Sequence, residues 1–310
     1  MRFEIRYRLA FEYENVIRHS QNELRACPLS DDHQLLLSYK VSASPTARIH
    51  SFTDYWGTRV DAYGIREPHV AVELVAESAV ETSPVPLMVA SPPMTAAADP
   101  AFTDEFAEYL GPTRHTVVGA RTDRCASEIS ERGETDVVSV VLDVHRRVHR
   151  SLTYTPGVTA IGVEPDAVLD AGAGVCQDYA HLAVALCRRL GIPARYVSGY
   201  FFAASDATGQ DVIGDVVDVQ THAWFEAAVP GAGWFALDPT NALAVGERHV
   251  VIGRGRDYDD VPPIRGVYAG VADAALDAGV EMRRMGDQHP SGPQPGPLRQ
   301  QQQVQQQQRQ

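Results

Sequence analysis

The chain has 310 residues, with 27 Lys plus Arg against 40 Asp plus Glu, hence a formal charge of −13, and 44% of its residues are hydrophobic. Such acidity argues against a phosphate-backbone binder, so nucleic acid is not an expected partner. The length allows two domains and the apolar share allows sizeable cores, while no run approaches the roughly 18 apolar residues of a membrane span, so no membrane partner is expected.

The opening, MRFEIRYRLAFEYE, sets Phe3, Ile5, Tyr7, Leu9, Phe11 and Tyr13 on one side and mostly Glu and Arg on the other. This predicts a half-buried strand, and the lack of an uninterrupted apolar stretch argues against a signal peptide, so a cytoplasmic location is expected. Strand-like runs follow at HQLLLSYKVSA, ARIHSFTDYW, TRVDAYGI and HVAVELVAESAVE, broken by Pro, Gly and Ser. Residues 1–82 therefore read as an all-β, sandwich-like domain. The stretch TSPVPLMVASPPMTAAADP holds five prolines and no periodicity, so residues 83–100 read as a connector.

Beyond it the period changes. AFTDEFAEYL and DVVSVVLDVHRRVHRSL carry apolar residues at helical spacing, and residues 176–190 form a third helical pattern that Gly191 caps and Pro193 ends. Strand patterns follow at ARYVSGYFFA, THAWFEAAV and GWFALD, so residues 101–250 predict an α+β domain of helices followed by a sheet. Residues 251–285 read as a C-terminal extension of that core. The Pro/Gly-rich and then Gln-rich residues 286–310 read as a disordered tail.

The four cysteines, Cys27, Cys125, Cys176 and Cys187, form no CxxC pair and do not suggest a disulfide scaffold. On one helix Cys176 and Cys187 would lie about 16 Å apart, too far for a disulfide. A lone cysteine is most often a small buried hydrophobe. Cys176, however, opens a helix behind a glycine-rich turn, and the unpaired N–H groups and partial positive charge of a first helical turn stabilise a thiolate. Gly172 and Gly174 read as room for a substrate backbone.

A thiolate nucleophile needs a proton partner. His181 falls about 140° round the helix from Cys176 and reads as structural. His145 and His149 are spaced i, i+4, but no HExxH glutamate accompanies them and arginines surround them, so no metal site is expected. His222 lies in THAWFEAAVPGAGWFALDPTN, where two strand patterns flank a turn. Pairing centred on Pro230 would set His222 opposite Asp238, within reach for a carboxylate to hold the imidazole N–H. Gln177 and Asp178 could cap the helix or touch substrate, and Trp224 could belong to the sheet core or wall a cleft. The 256–260 stretch, RDYDD, could close over the site or be a solvated loop.

GVCQDYAHLAVALCRRLGIPARYVSGY followed by THAWFEAAVPGAGWFALDPTN resembles the bacterial branch of the transglutaminase-like superfamily of papain-related thiol enzymes. LTYTPGVT and GRDYDDVPPIRGVY carry the same resemblance, as does the leading β domain, so it spans roughly residues 1–270. It implies a papain-like core of helices on an antiparallel sheet, a triad of Cys176, His222 and Asp238, and acyl transfer from peptide or protein amides through a thioester, without a cofactor. Transglutaminases place a tryptophan upstream of the cysteine as oxyanion donor, whereas this chain has no tryptophan between Trp56 and Trp224, so Tyr154 is the substitute candidate beside the Cys176 amide. The calcium dependence of the animal enzymes does not transfer. Transfer to an amine, hydrolysis as a peptidase or amidase, and a non-catalytic binding role all remain open, with the acceptor set by loops such as ASDATGQDVIGDVVDV.

Overall fold

Alternation along Arg2–Ile17 makes a long strand whose Phe3, Ile5, Tyr7 and Leu9 are buried while Arg6 and Arg8 face outward to Glu77 and Glu73. The computed structural model in which this is seen describes residues 1–86, 91–203, 213–271 and 273–286. The expected disordered tail beyond Gly286, and residues 204–212 of the loop expected to shape the cleft, lie outside the described residues.

The β region is a two-sheet sandwich, as expected, but it is not built from residues 1–82 alone. One sheet runs in the order Val216–Val219, Ala274–Met285, Arg2–Ile17, His69–Thr82, Gln34–Ser44; the other runs Ile264–Ala269, His19–Leu24, Arg59–Ile65, Ile49–Thr53. The 251–285 segment is thus not simply an extension of the core. Val280 and Met282 pair with Tyr7 and Ile5, so Ala274–Met285 covers an edge that the first strand would otherwise leave unpaired. His19–Leu24, with the polar sequence HSQNEL, carries little strand signal. Its Ser20 and Asn22 are buried because Ser20 Oγ meets His69 Nε2 at 3.2 Å and Asn22 donates to Ser20 Oγ at 3.3 Å.

The connector reading also needs revision, because Met94–Ala97 and Pro100–Glu105 are short helices, the second capped by Asp99, which accepts the Ala101 N–H. The following region packs helices Ala120–Ser130, Val137–Ser151, Pro165–Ala171 and Cys176–Arg189 against an antiparallel sheet. That sheet runs Leu243–Ala244, Gly233–Asp238, His222–Val229, Ala194–Phe201, His249–Gly255. The Cys176–Arg189 helix lies central in this layer, and Leu182, Val184 and Leu186 are buried on it. Its end is tied by Ile192 N–H to Cys187 O at 2.9 Å, with Gly191 in the left-handed region.

The two regions share one apolar cluster. Tyr200, Phe202, Val250 and Ile252 from the core sheet pack into the sandwich, with Phe202 and Phe3 ring centroids 5.1 Å apart. Each such side chain gains roughly 1.5–3 kcal/mol from burial, so the sandwich braces the part of the sheet that carries His222 and His249. Among the described residues no helix is long and apolar enough to cross a membrane.

Candidate active site

The approach to Cys176 is built by local capping. Helix Pro165–Ala171 ends at Gly172, which has φ +61° and donates its N–H to Val168 O at 3.0 Å. Ala173–Gly174 then pairs in parallel with Thr153–Tyr154, and Val175 is the N-cap of the Cys176–Arg189 helix. Asp178, buried at the third helical position, accepts the Val175 N–H at 2.8 Å and the Thr159 hydroxyl at 2.6 Å. It is a cap rather than a substrate contact. Gly174 likewise makes room inside the protein: a Cβ there would sit 2.8 Å from Asp178 Oδ2 and 2.9 Å from its Cβ. The expected role of Gly174, admitting a substrate backbone, gives way to this packing. The Cys176 amide, in the first turn, has no intrahelical acceptor. All four cysteines are free, and Cys176 alone among them is not buried.

His222 opens the His222–Val229 strand, and its Nε2 lies 2.8 Å from Asp238 Oδ2. Cys176 lines the same cleft as His222 and helps to raise its pKa, while the Cys176 thiol donates to the Thr221 carbonyl at 3.9 Å. The contact does not arise from the expected register. Phe225 pairs with Leu237 and Val229 with Gly233, so the hairpin is centred on Gly231 instead of Pro230 and Asp238 falls diagonally across from His222. Gly231 and Gly233, both with positive φ, lengthen the turn. A shift of two residues keeps every side chain on its face, so His222 and Asp238 still meet.

Asp238 is fully buried and saturated with donors. Oδ1 accepts Thr240 N–H at 3.0 Å and Asn241 N–H at 3.2 Å; Oδ2 accepts from His222, from Asn241 Nδ2 at 2.7 Å and from His249 Nε2 at 3.3 Å. Burial opposes its charge, but the bonds from His222 and His249 and the nearby imidazole charge prevail and hold the carboxyl well below the usual carboxylate range. Burial also opposes charge on His222, yet its hydrogen bonds to Asp238 and Cys176 push its pKa up to about 10. At neutral pH the ring is therefore an imidazolium held by the Asp238 carboxylate. His249 is the reverse case: burial lowers its pKa, and its Nδ1 accepts Gly246 N–H at 3.2 Å, so it is a neutral donor to Asp238.

Sequence reasoning missed His249 and Asn241. Asn241 had a signal, since an Asx-type turn follows naturally from Asp-Pro-Thr-Asn. His249 had none, because it reaches the site from a strand on the far side of Ala194–Phe201. His145 and His149 do not form a metal pair. Their rings meet the Asp238 and Pro239 carbonyls at 3.0 and 2.9 Å and so pin the Asp-Pro turn from below.

A cleft of about 390 Å³ opens on Cys176 and His222, walled by Tyr154, Phe201, Val219, Gln220, Thr221 and Thr240. Tyr154 is half exposed at its rim, where burial and the adjacent Cys176 raise its pKa, so its hydroxyl keeps its proton. Gln177 is partly buried and is not among the cleft walls. Trp224 is fully buried, edge-on to His249 with ring centroids 5.2 Å apart, and does not reach the cleft; it supports the histidines from beneath. His181 is also buried, its Nε2 accepting the Tyr258 N–H at 3.2 Å.

Comparison with known proteins places this geometry in context. Residues 123–239 match the family model of the transglutaminase-like superfamily, and residues 3–81 match that of the bacterial transglutaminase-like N-terminal region. An uncharacterised protein of Mycobacterium leprae is 35% identical over 284 residues, covering 92% of this chain and 99% of its own. A protein-glutamine gamma-glutamyltransferase of Pseudomonas aeruginosa is 32% identical over 127 residues, which is 40% of this chain and 19% of that protein. A crystal structure from Cytophaga hutchinsonii, provisionally described as a cysteine protease, aligns with a TM-score of 0.68 at 23% identity over 90% of both chains.

Proposed function

The chain belongs to the transglutaminase-like superfamily, and from that premise we propose that it is a thiol enzyme acting on peptide or protein amides through a Cys176 thioester. The observation that supports this most is a single cleft lined by Cys176 and His222, with the His222 ring bonded at 2.8 Å to a buried Asp238. Cys176 Sγ adds to an amide carbonyl, and the oxyanion is met by the Cys176 amide and the Tyr154 hydroxyl. The tetrahedral intermediate collapses to a thioester as His222 passes its Nδ1 proton to the departing amine. An incoming amine or water then gives a proton to His222, attacks the thioester and releases the thiolate. Asp238, with His249 and Asn241 behind it, keeps the ring oriented and charged.

Acyl transfer to an amine is the leading reading, supported by the sequence similarity to the glutamyltransferase across the core; hydrolysis as a peptidase or amidase is the second, supported by the shared fold of the Cytophaga structure. The four free thiols suit a reducing cytoplasm. Intact-mass analysis of glutamine-containing peptides incubated with the protein and a primary amine separates the outcomes. A mass gain matching the amine adduct supports transfer, cleavage supports a peptidase and a 1 Da gain supports deamidation. No product dependent on Cys176 would favour a binding role.

A further inference from the structure

The RDYDD stretch and two buried histidines are left unused by the chemistry above. His115 is 1% exposed, and neither of its ring nitrogens makes a hydrogen bond among the described residues. It stacks flat on His181, with ring centroids 4.9 Å apart, and so stands against the helix that begins at Cys176. Its Nε2 lies 3.1 Å from Asp259 Oδ1 without the alignment of a hydrogen bond. Asp257 is buried beside it, and its Oδ1 accepts the Asp259 N–H at 2.9 Å. One donor atom from each of His115, Asp257 and Asp259 lies within 4.8 Å of the others.

We propose that His115, Asp257 and Asp259 form a binding site for a first-row divalent cation, Zn²⁺ or Mn²⁺. One imidazole nitrogen with two carboxylate oxygens suits these ions better than Ca²⁺ or Mg²⁺, which favour all-oxygen shells. A buried imidazole with unpaired nitrogens is costly, and a cation would satisfy the one that faces Asp259. The surrounding charges set the strength. Arg114 Nη1 is 3.9 Å from Asp259 Oδ2, and Arg188 and Arg256 carry positive charge near Asp257, so the carboxylates are partly offset and binding is of intermediate affinity. Asp259 is partly exposed, which gives the ion a route in and room for water to complete its shell. The consequence is mechanical. Tyr258 and Val261 of the same turn pack with Ala180, Tyr196, Ala223 and Cys176, so a bound ion would tie the 111–116 loop and the 257–260 turn together beneath the nucleophile.

The test uses the full chain carrying Cys176→Ala, so that the active-site thiol cannot act as a ligand. The protein is stripped with chelator, incubated with Zn²⁺, Mn²⁺ or Ca²⁺, desalted for metal analysis and melted in parallel. The expected result is one equivalent of Zn²⁺ or Mn²⁺ per chain and, at a hundredfold excess over Kd, a melting temperature raised by about 4 °C, with Ca²⁺ inert. Asp259→Asn, at a partly exposed position, should leave the metal-free melting temperature within about 2 °C of its parent while abolishing both responses, as surface changes usually do little to the fold. His115→Gln should abolish them too. Failure to retain metal, retention unaffected by Asp259→Asn, or a response to Ca²⁺ alone would each overturn the proposal. So would a metal-free protein that Asp259→Asn destabilises and metal does not stabilise, which would leave a plain His115–Asp259 ion pair.

Discussion

Replacing Asp238 by asparagine keeps the shape of the buried side chain and removes the charge that keeps His222 protonated. The His222 pKa of about 10 stands above the ordinary 6.5 because hydrogen bonds and charge from Asp238 and Cys176 outweigh burial. That difference corresponds to about 5 kcal/mol, which Asp238 and Cys176 share. Without the carboxylate, burial loses its main opponent, and the ring should return to 6.5 or below. At pH 8 a ring with pKa near 10 is about 99% charged, and one at 6.5 about 3%, so protonation alone removes about thirtyfold of activity. Misorientation of the ring adds to this, bringing the expected loss to about 10²–10⁴-fold. The assay is kcat/KM for amide turnover from pH 5 to 11. The parent should hold its rate until a descending limb near pH 10, whereas Asp238→Asn should already be falling below pH 7. A variant that keeps the limb near pH 10 would refute the reasoning.

The same linkage acts on stability. A folded-state pKa raised above the unfolded value means that the His222 contribution is complete below about pH 6.5 and disappears as the pH rises through about 10, so urea midpoints should fall across that window and Asp238→Asn should flatten the fall. Gly174→Ala forces a Cβ to 2.8 Å from Asp178 Oδ2, which frees the Val175 N–H; a loss of about 1–2 kcal/mol in urea unfolding is expected. Tyr154→Phe should lower kcat by about 10²-fold with KM little changed, and a change below about threefold would assign the oxyanion to backbone amides alone.

The sequence carried the candidate site better than its surroundings. Gly-x-Cys at a helix start and His-Ala-Trp before a turn are local patterns, so Cys176 and His222 could be read directly. The His222–Asp238 contact was anticipated from the wrong register and survives because strand parity tolerates a shift of two residues. What could not be read depends on long-range placement. His249 joins the site across Ala194–Phe201, His145 and His149 trade metal-like spacing for carbonyls 93 and 90 residues away, and Ala274–Met285 leaves the core to pair with the first strand. No local period encodes those partners. Helices Ala120–Ser130 and Pro165–Ala171 escaped for a different reason: they are short, and their buried faces include Thr122, Cys125 and Pro165, too few large apolar residues to establish a period.

The most direct measurement of the central claim, a Cys176 nucleophile with a charged His222 as its partner, is the rate of iodoacetamide labelling mapped to each of the four cysteines in the parent and in His222→Ala. Cys176 is expected to be labelled far ahead of the buried Cys27, Cys125 and Cys187, and more slowly in His222→Ala, which removes the positive charge beside the sulfur. A Cys176 rate no higher than that of the buried cysteines, or one unchanged by His222→Ala, would contradict it.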